Sequence, residues 1–232
     1  MDLFWQGTVQ AARLLAAGDP DVVEIALLSL EVSAAATLLA VVVGAPLGVW
    51  IGLKGFPGRD LVVSLVNTGM GLPPVVVGLF VSILLWRSGP LGGLEILYTP
   101  AAIVVAQFII ALPVVVGLTI AAIQQIDPRL PLQLIGLGAS RGQLLRLLLR
   151  EARLPMLAAV MAGFGAVVSE VGASLMVGGN ILHHTRVLTT ATVLETSKGE
   201  FDVAIALSLI LLGIAFVINL ALTLLQQRAL HR

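Results

Sequence analysis

The chain has no cysteine, which excludes disulfides, thiolate metal sites and a cysteine nucleophile but leaves the compartment open. Charge is scarce too: only 11% of the 232 residues are Asp, Glu, Lys or Arg, against roughly 25% in soluble domains. The two lysines, Lys54 and Lys198, fall in short connections, and no GxxxxGK[ST] phosphate loop occurs. No phosphate-loop ATPase is therefore expected on this chain. Formal net charge is zero, so no nucleic-acid partner is implied. His183-His184 offers two adjacent imidazoles without a third ligand, so neither a metal site nor a cofactor is expected.

What is present is apolar: 58% hydrophobic residues and a mean hydropathy of +1.06. Uncharged runs cover 32–53, 61–86, 96–126, 154–169 and 203–227. All but 154–169 exceed the roughly 20 residues that cross a bilayer core as a helix. That shorter run is cut by Glu170, and apolar sequence resumes directly after it. A β-barrel would need alternating segments of about ten residues, and these runs are continuous. A soluble protein with five such helices would lack the polar surface to cover them. The pattern predicts an all-α polytopic membrane protein, one transmembrane domain over 1–232, with spans near 26–53, 61–86, 97–123, 155–178 and 203–226.

Five crossings place the termini on opposite sides. With the N-terminus outside, the cytoplasmic segments hold Lys54, Arg59, Arg129, Arg141, Arg146, Arg150, Arg153, Arg228 and Arg232, leaving Arg13, Arg87, Arg186 and Lys198 outside. The positive-inside bias favours that orientation. The first 21 residues lack the basic leader of a secretory signal. Two readings fit them: a short interfacial helix presenting Phe4, Trp5, Val9, Leu14 and Leu15, or a frayed tail.

The middle loop, 124–154, contains a basic segment, GASRGQLLRLLLREARLP over 138–155. At 100° per residue Arg146, Arg150 and Arg153 fall within about 60° of one another, opposite a leucine face. Arginines resting on lipid phosphates are one reading. A small-residue turn leading into a basic helix also suits docking of a cytoplasmic partner.

The loop resembles the cytoplasmic loop of ATP-binding cassette importer permeases, whose signature is EAA, three residues, Gly, nine residues, Ile, one residue, Leu-Pro. Leu137-Gly138-Ala139-Ser140 and Leu154-Pro155 match it. The triplet reads Leu132-Gln133-Leu134, and Leu-Pro comes four residues late, about one helical turn. Glu170-Val171-Gly172-Ala173, Gly179-Asn180 and the GMGLPPVVVGL stretch (69–79) resemble molybdate-, sulfate- and tungstate-type permeases. EVGAS, MVGGNI and LTTATVLETSKGEF look most like tungstate permeases.

The resemblance implies a type I importer permease in the cell's inner membrane, a transport subunit rather than an enzyme. Its expected partners are a second copy of itself, a cytoplasmic ATPase dimer and an external substrate-binding protein. Leu137, Gly138, Ala139, Ser140 and Arg141 become the expected ATPase-coupling residues, with a coupling helix in this loop acting as a lever. The expected substrate is tungstate, with molybdate or sulfate as the alternative.

Inside the spans, Pro73, Pro74, Glu170, Gly172 and Asn180 are the candidate pathway and gate residues. Glu170 is the only ionisable group well inside a span; a central charge costs about 2.5–3.5 kcal/mol. A bare carboxylate would repel a dianion, which favours a structural or gating role. Pro73-Pro74 reads as part of a gate or as a packing kink. Asn180 suits transient oxyanion hydrogen bonding or a helix cap. No lysine or arginine lies within a span, as suits a pathway of weak sites. An ion-coupled secondary transporter would usually show paired interrupted helices in two repeats, and an intramembrane enzyme would need convergent catalytic groups; neither pattern is present.

Overall fold

The structure, a computed structural model, describes residues 2–230. In chain order the helices are α1 (Asp2–Ala17), α2 (Pro20–Leu53), α3 (Arg59–Met70), α4 (Pro74–Leu85), α5 (Pro100–Gln124) and α6 (Arg129–Gly136). They continue with α7 (Arg141–Glu151), α8 (Arg153–Val168), α9 (Gly172–Gly178), α10 (Leu188–Lys198) and α11 (Phe201–Leu230). The described residues contain no strand.

Helices α2, α5 and residues Phe201–Gln227 of α11 are each long and apolar enough to cross a membrane. Two bent pairs raise the number of candidate spans to five when each is taken as one span: α3 meets α4 at 99°, and α7 meets α8 at 61°. The span expected over 61–86 is broken at the Pro73-Pro74 pair that suggested a gate or kink, and the one over 155–178 is broken between α8 and α9. Pro74 cannot donate to a preceding turn, so the chain turns a corner at 71–73 and restarts with proline at the first helical position. At 16 residues, α8 rises about 24 Å, short of the roughly 30 Å core, and α9 completes the crossing beyond a break at 169–171.

The first span begins earlier than expected. Asp19 caps α2 by accepting from the backbone N–H groups of Asp21 (3.1 Å) and Val22 (3.2 Å), and Pro20 opens the helix. Residues 2–17 form a helix that packs on α11, rather than fraying or lying alone on the interface. Ala11 is buried, and a Cβ on Gly7 would lie within 2.6 Å of Ile205. Trp5 is exposed; the side chains of Phe4 and Leu15, and residue Arg232, lie outside the described residues.

The bundle is assembled on a seam between α2 and α5. Small residues recur every fourth position along α2, at Ala36, Ala40, Gly44, Gly48 and Gly52, which lets two backbones approach where no hydrophobic force drives helices together. A Cβ on Gly48 would sit 2.6 Å from Thr119 Cβ and 2.8 Å from the Val116 carbonyl; one on Gly52 would sit 2.8 Å from Ile123. These pairings advance together, so α2 and α5 run parallel. Helix α3 packs back along α5 through Val62, Val63 and Val66 against Ile51, Val116 and Ile120.

The same packing sorts the loops into two ends. The end of α2, the start of α3, the end of α5, α6 and the α7–α8 bend share one end, where Ala122, Ile123 and Ala152 cluster. The start of α2, the 86–99 connection and the 179–187 loop share the other, joined by Tyr98 N–H to Val177 carbonyl (2.8 Å) and His183 to Glu24 (2.8 Å). Lys54, Arg59, Arg129, Arg141, Arg146 and Arg150 therefore gather at the first end.

Gly48→Leu should destabilise the detergent-solubilised chain by about 1–3 kcal/mol through overpacking. Gly142→Ala, in open space, should leave the thermal midpoint unchanged or raise it. Tryptophan-monitored unfolding checks both.

Candidate functional site

Two chain breaks meet inside the membrane portion. Where α8 ends, the backbone would leave groups unpaired in a medium without water, at several kcal/mol each. Backbone and side chains share the pairing: the Glu170 N–H closes on the Val167 carbonyl at 3.2 Å, and side chains from three elements add to it. Gln107 of α5 donates Nε2–H to the Val167 carbonyl (3.2 Å), and Thr189 of α10 donates its hydroxyl to the Glu170 carbonyl (2.9 Å). The Glu170 carboxylate then caps α9: Oε1 accepts from Ala173 N–H (2.9 Å), and Oε2 from Ser174 N–H (3.0 Å) and the Ser174 hydroxyl (3.2 Å). Hydrogen bonds to a charged group, about 1.5–3 kcal/mol each, are of the size needed to hold a carboxylate at this depth. Glu170 is 6% exposed, so its oxygens face α9 rather than open space.

The break in α3–α4 packs directly on this one. A Cβ on Gly172 would lie 2.6 Å from Val75 Cγ2, and one on Gly78 would lie 2.7 Å from Ala173 Cα. Pro73, Pro74, Glu170 and Gly172 therefore form one constellation, with Pro73 and Pro74 on its exposed side. Asn180 stands apart, beyond the far end of α9, about 10 Å along seven residues of helix. The cap of α9 is Gly179, whose N–H reaches the Leu175 carbonyl. Asn180 instead adopts φ 53° and donates Nδ2–H to the Thr190 carbonyl at 3.4 Å, leaving its Oδ1 buried without a partner.

Leu137–Arg141 lie at the opposite end, as the link between α6 and α7. Gly138, at φ +84°, ends α6: its N–H bonds to the Ile135 carbonyl and the Ala139 N–H to the Leu134 carbonyl. This Schellman closure favours glycine. Ser140 starts α7 in a capping box with Gln143. Arg141 follows at the first helical position, where a positive charge opposes the helix dipole, and it makes no ion pair with the described residues. Local stability does not account for an arginine there. The apolar exposure is greatest on and beside α6: Leu132 is 70%, Ile135 56% and Leu137 84% exposed. Helix α6 presents this surface more openly than the basic α7, whose Leu148 is buried.

Gln107 and Ser174 escaped the sequence reading; Thr189 is legible there only as one of the threonines, with Thr185, Thr190 and Thr192, of an apolar external loop that suits a helix dipping towards the pathway. Gln107 carried a signal, as the only carboxamide of run 96–126 away from its ends. Ser174 carried none, because hydroxyls that bond local backbone are common in apolar helices.

The family described as binding-protein-dependent transport system inner membrane component matches residues 44–231. The chain belongs to that family. The permease is 42% identical over 202 residues to a probable anion ABC transporter permease protein of Haloferax volcanii, covering 85% of this chain and 87% of that one. It is 39% identical over 229 residues to the tungstate uptake system permease protein TupB of Peptoclostridium acidaminophilum, covering 98% and 100%. Its fold matches a chain of the MetNI methionine ABC transporter in an inward-facing conformation, with a TM-score of 0.72 at 20% identity, over 90% of this chain and 96% of the other. The permease is thus an inner-membrane transport component, not an enzyme, with the all-α fold of importer permeases.

At the other end of the permease one pair ties the first turns of α2 to the 179–187 loop. The Glu24 carboxylate hydrogen-bonds His183 at 2.8 Å and raises the imidazole pKa above its ordinary 6.5. Because the folded value is raised, this tether is complete below pH 6.5 and is lost as pH rises through the raised value. Among the described residues no group of three or more His, Asp or Glu could hold a metal ion.

Glu170→Ala strips the acceptors from Ala173 N–H, Ser174 N–H and the Ser174 hydroxyl; it should cost about 3 kcal/mol or more, at about 1–3 kcal/mol per orphaned donor. Glu170→Gln keeps one oxygen and should cost less, an order read by thermal unfolding. In an NMR titration of imidazole-labelled permease, Glu24→Gln should lower the pKa of His183.

Proposed function

We propose that the permease is the membrane subunit of an ATP-driven importer of tungstate, working as a homodimer with a separate ATPase dimer and an external binding protein. The observation that carries the substrate is the 39% identity to a tungstate uptake permease along 98% of this chain. The pathway chemistry agrees with an anion of high charge. The spans offer neutral hydrogen-bond donors and no fixed cation, so an ion can enter and leave without being trapped. Affinity then resides in the binding protein. Molybdate and sulfate are the alternatives within the same mechanism.

The ATPase is taken to dock on α6 and the 137–141 turn. Exposed Leu132, Ile135 and Leu137 supply the apolar anchors, and Arg141 supplies a charge available to an acidic partner group. The end carrying Lys54, Arg59 and the loop arginines is the cytoplasmic one, by the positive-inside bias. Exposed Leu79, Phe80 and Ile83 of α4 are available to the second copy. The joined breaks at Pro73-Pro74 and Glu170–Gly172 form the gate, since two short helices in contact reorient more readily than a continuous rod.

Reconstituted with its ATPase and binding protein in liposomes, the wild-type permease should accumulate labelled tungstate only with ATP. Gly138→Arg should abolish that uptake; its side chain would meet nothing within 4 Å, and the left-handed φ of +84° should cost about 1–3 kcal/mol, so thermal unfolding should still show a folded permease. Uptake of molybdate or sulfate alone would overturn the substrate; uptake driven by an ion gradient without ATP would overturn the importer.

A further inference from the structure

Helix α3 carries three longitudinal sectors rather than two. At 100° per residue, Val62, Val66 and Met70 occupy about 80° of the wheel, and this sector packs on α5. Leu61 and Leu65 lie on an apolar sector about 40° wide, 66% and 63% exposed. Between them runs a polar sector of Ser64, Asn67 and Thr68, about 100° wide and exposed throughout. With Asp60 and Val63 it forms a shallow, open depression on the surface of α3. A lipid-facing helix has no use for a polar stripe, because polar groups within membranes face protein or a water-filled cavity.

The hydrogen bonding separates these groups. Thr68 spends its hydroxyl on the Ser64 carbonyl (2.8 Å). Neither the Ser64 hydroxyl nor the Asn67 carboxamide bonds any described residue. Asp60 sits in the first helical turn, where a carboxylate is favoured by the dipole; its presence is explained by that. The stripe stops at the corner. Beyond Pro74 the exposed positions of α4 are Val75, Val76, Leu79, Phe80, Ile83 and Leu84, all apolar.

We propose that Ser64 and Asn67 line an aqueous vestibule that opens at the basic end of the permease and closes at the Pro73-Pro74 corner, where they hydrogen-bond an oxyanion in transit. The assignment rests on the importer reading for its ligand, but its water-filled character does not. Two neutral donors per subunit replace part of the anion's hydration without holding it, which suits a route the anion must leave.

The absence of cysteine makes the test direct. Single variants Ser64→Cys, Asn67→Cys, Leu61→Cys, Leu65→Cys and Val66→Cys would be reconstituted with the full importer and exposed, from the basic end, to a membrane-impermeant charged methanethiosulfonate. Ser64→Cys and Asn67→Cys should react at least about tenfold faster than the other three, because an apolar surrounding raises a thiol's pKa and depletes its thiolate. Equal reactivity in all five, labelling confined to Leu61→Cys and Leu65→Cys, or spontaneous intersubunit disulfides at Ser64→Cys and Asn67→Cys would each overturn the vestibule. Uptake supplies the second arm. Asn67→Asp should slow tungstate transport about tenfold, the size of like-charge repulsion across roughly 5 Å of water, while Asn67→Gln stays near wild type. Transport unchanged in Asn67→Asp would overturn the role in anion passage. A labelling pattern as expected in an importer that moves no oxyanion would leave the vestibule standing and sink the proposed substrate instead.

Discussion

Nothing in a bilayer core will hydrogen-bond a stray peptide group, and the structure of this permease follows from that constraint. It explains why the described residues inside the bundle are helical and why each departure from helix is chemically furnished. The break between α8 and α9 shows this best. Gln107, Thr189 and Glu170 come from three separate stretches of sequence, and each satisfies a group freed by the interruption. Glu170 looks out of place in a run of apolar residues only while the run is taken as one helix. Once the helix is broken, a carboxylate at the start of the next segment is the group that its orphaned N–H donors require.

The second corner obeys the same rule by a cheaper route. Proline at the first position of α4 has no N–H to orphan, and the Gly71 and Leu72 N–H groups close back on the Thr68 and Gly69 carbonyls. Packing then brings the two corners together, because Gly172 and Gly78 remove the side chains that would hold α9 and α4 apart. The stiff counterpart is the α2–α5 seam, where small residues every fourth position lock two long helices along much of their length. The result is a rigid pair with two jointed crossings beside it.

The sequence made the crossings legible and left their shape hidden. Long uncharged runs located α2, α5 and α11, since bilayer thickness imposes a length that hydropathy reads directly. That same averaging concealed the break at 169–171, because a corner built from Gly and a capped carboxyl is nearly as uncharged as the helices it joins, whereas Pro73-Pro74 marked the other corner without giving its angle. It also hid the three sectors of α3: Ser64, Asn67 and Thr68 are too few to lower the hydropathy of the run, and only their common face gives them meaning. The loop motif pointed to the 137–141 turn, whose Gly and Ser are accounted for by helix capping. The more exposed apolar surface lies one helix earlier, on α6, where Leu132-Gln133-Leu134 stands in place of the EAA triplet and the pattern is at its weakest. The N-terminal helix was read from its own residues alone, and its partner, α11, lies some 200 residues away, out of reach of any local rule.

If the ATPase engages α6, the architecture constrains how far its motion can travel. Helix α6 is bounded by the end of α5 on one side and by the α7–α8 bend on the other, and these meet at Ala122, Ile123 and Ala152. Helix α5 is locked to α2, so it resists displacement as an individual rod. Helix α8 is short, bent at its start and broken at its end, and is the element freer to move. Its far end is the Val167 carbonyl held by Gln107, adjacent to Glu170 and the capped α9. A rotation of α8 against α5 would therefore be delivered to the joint between the two corners, where α9 touches α4. Packed helices shift as bodies, and breaks absorb the angular change. On this geometry the oxygens of Glu170 are engaged by α9. The clasp would keep the Ala173 and Ser174 N–H groups bonded if the helix on either side changed direction, so that the joint could turn without exposing those peptide groups to lipid.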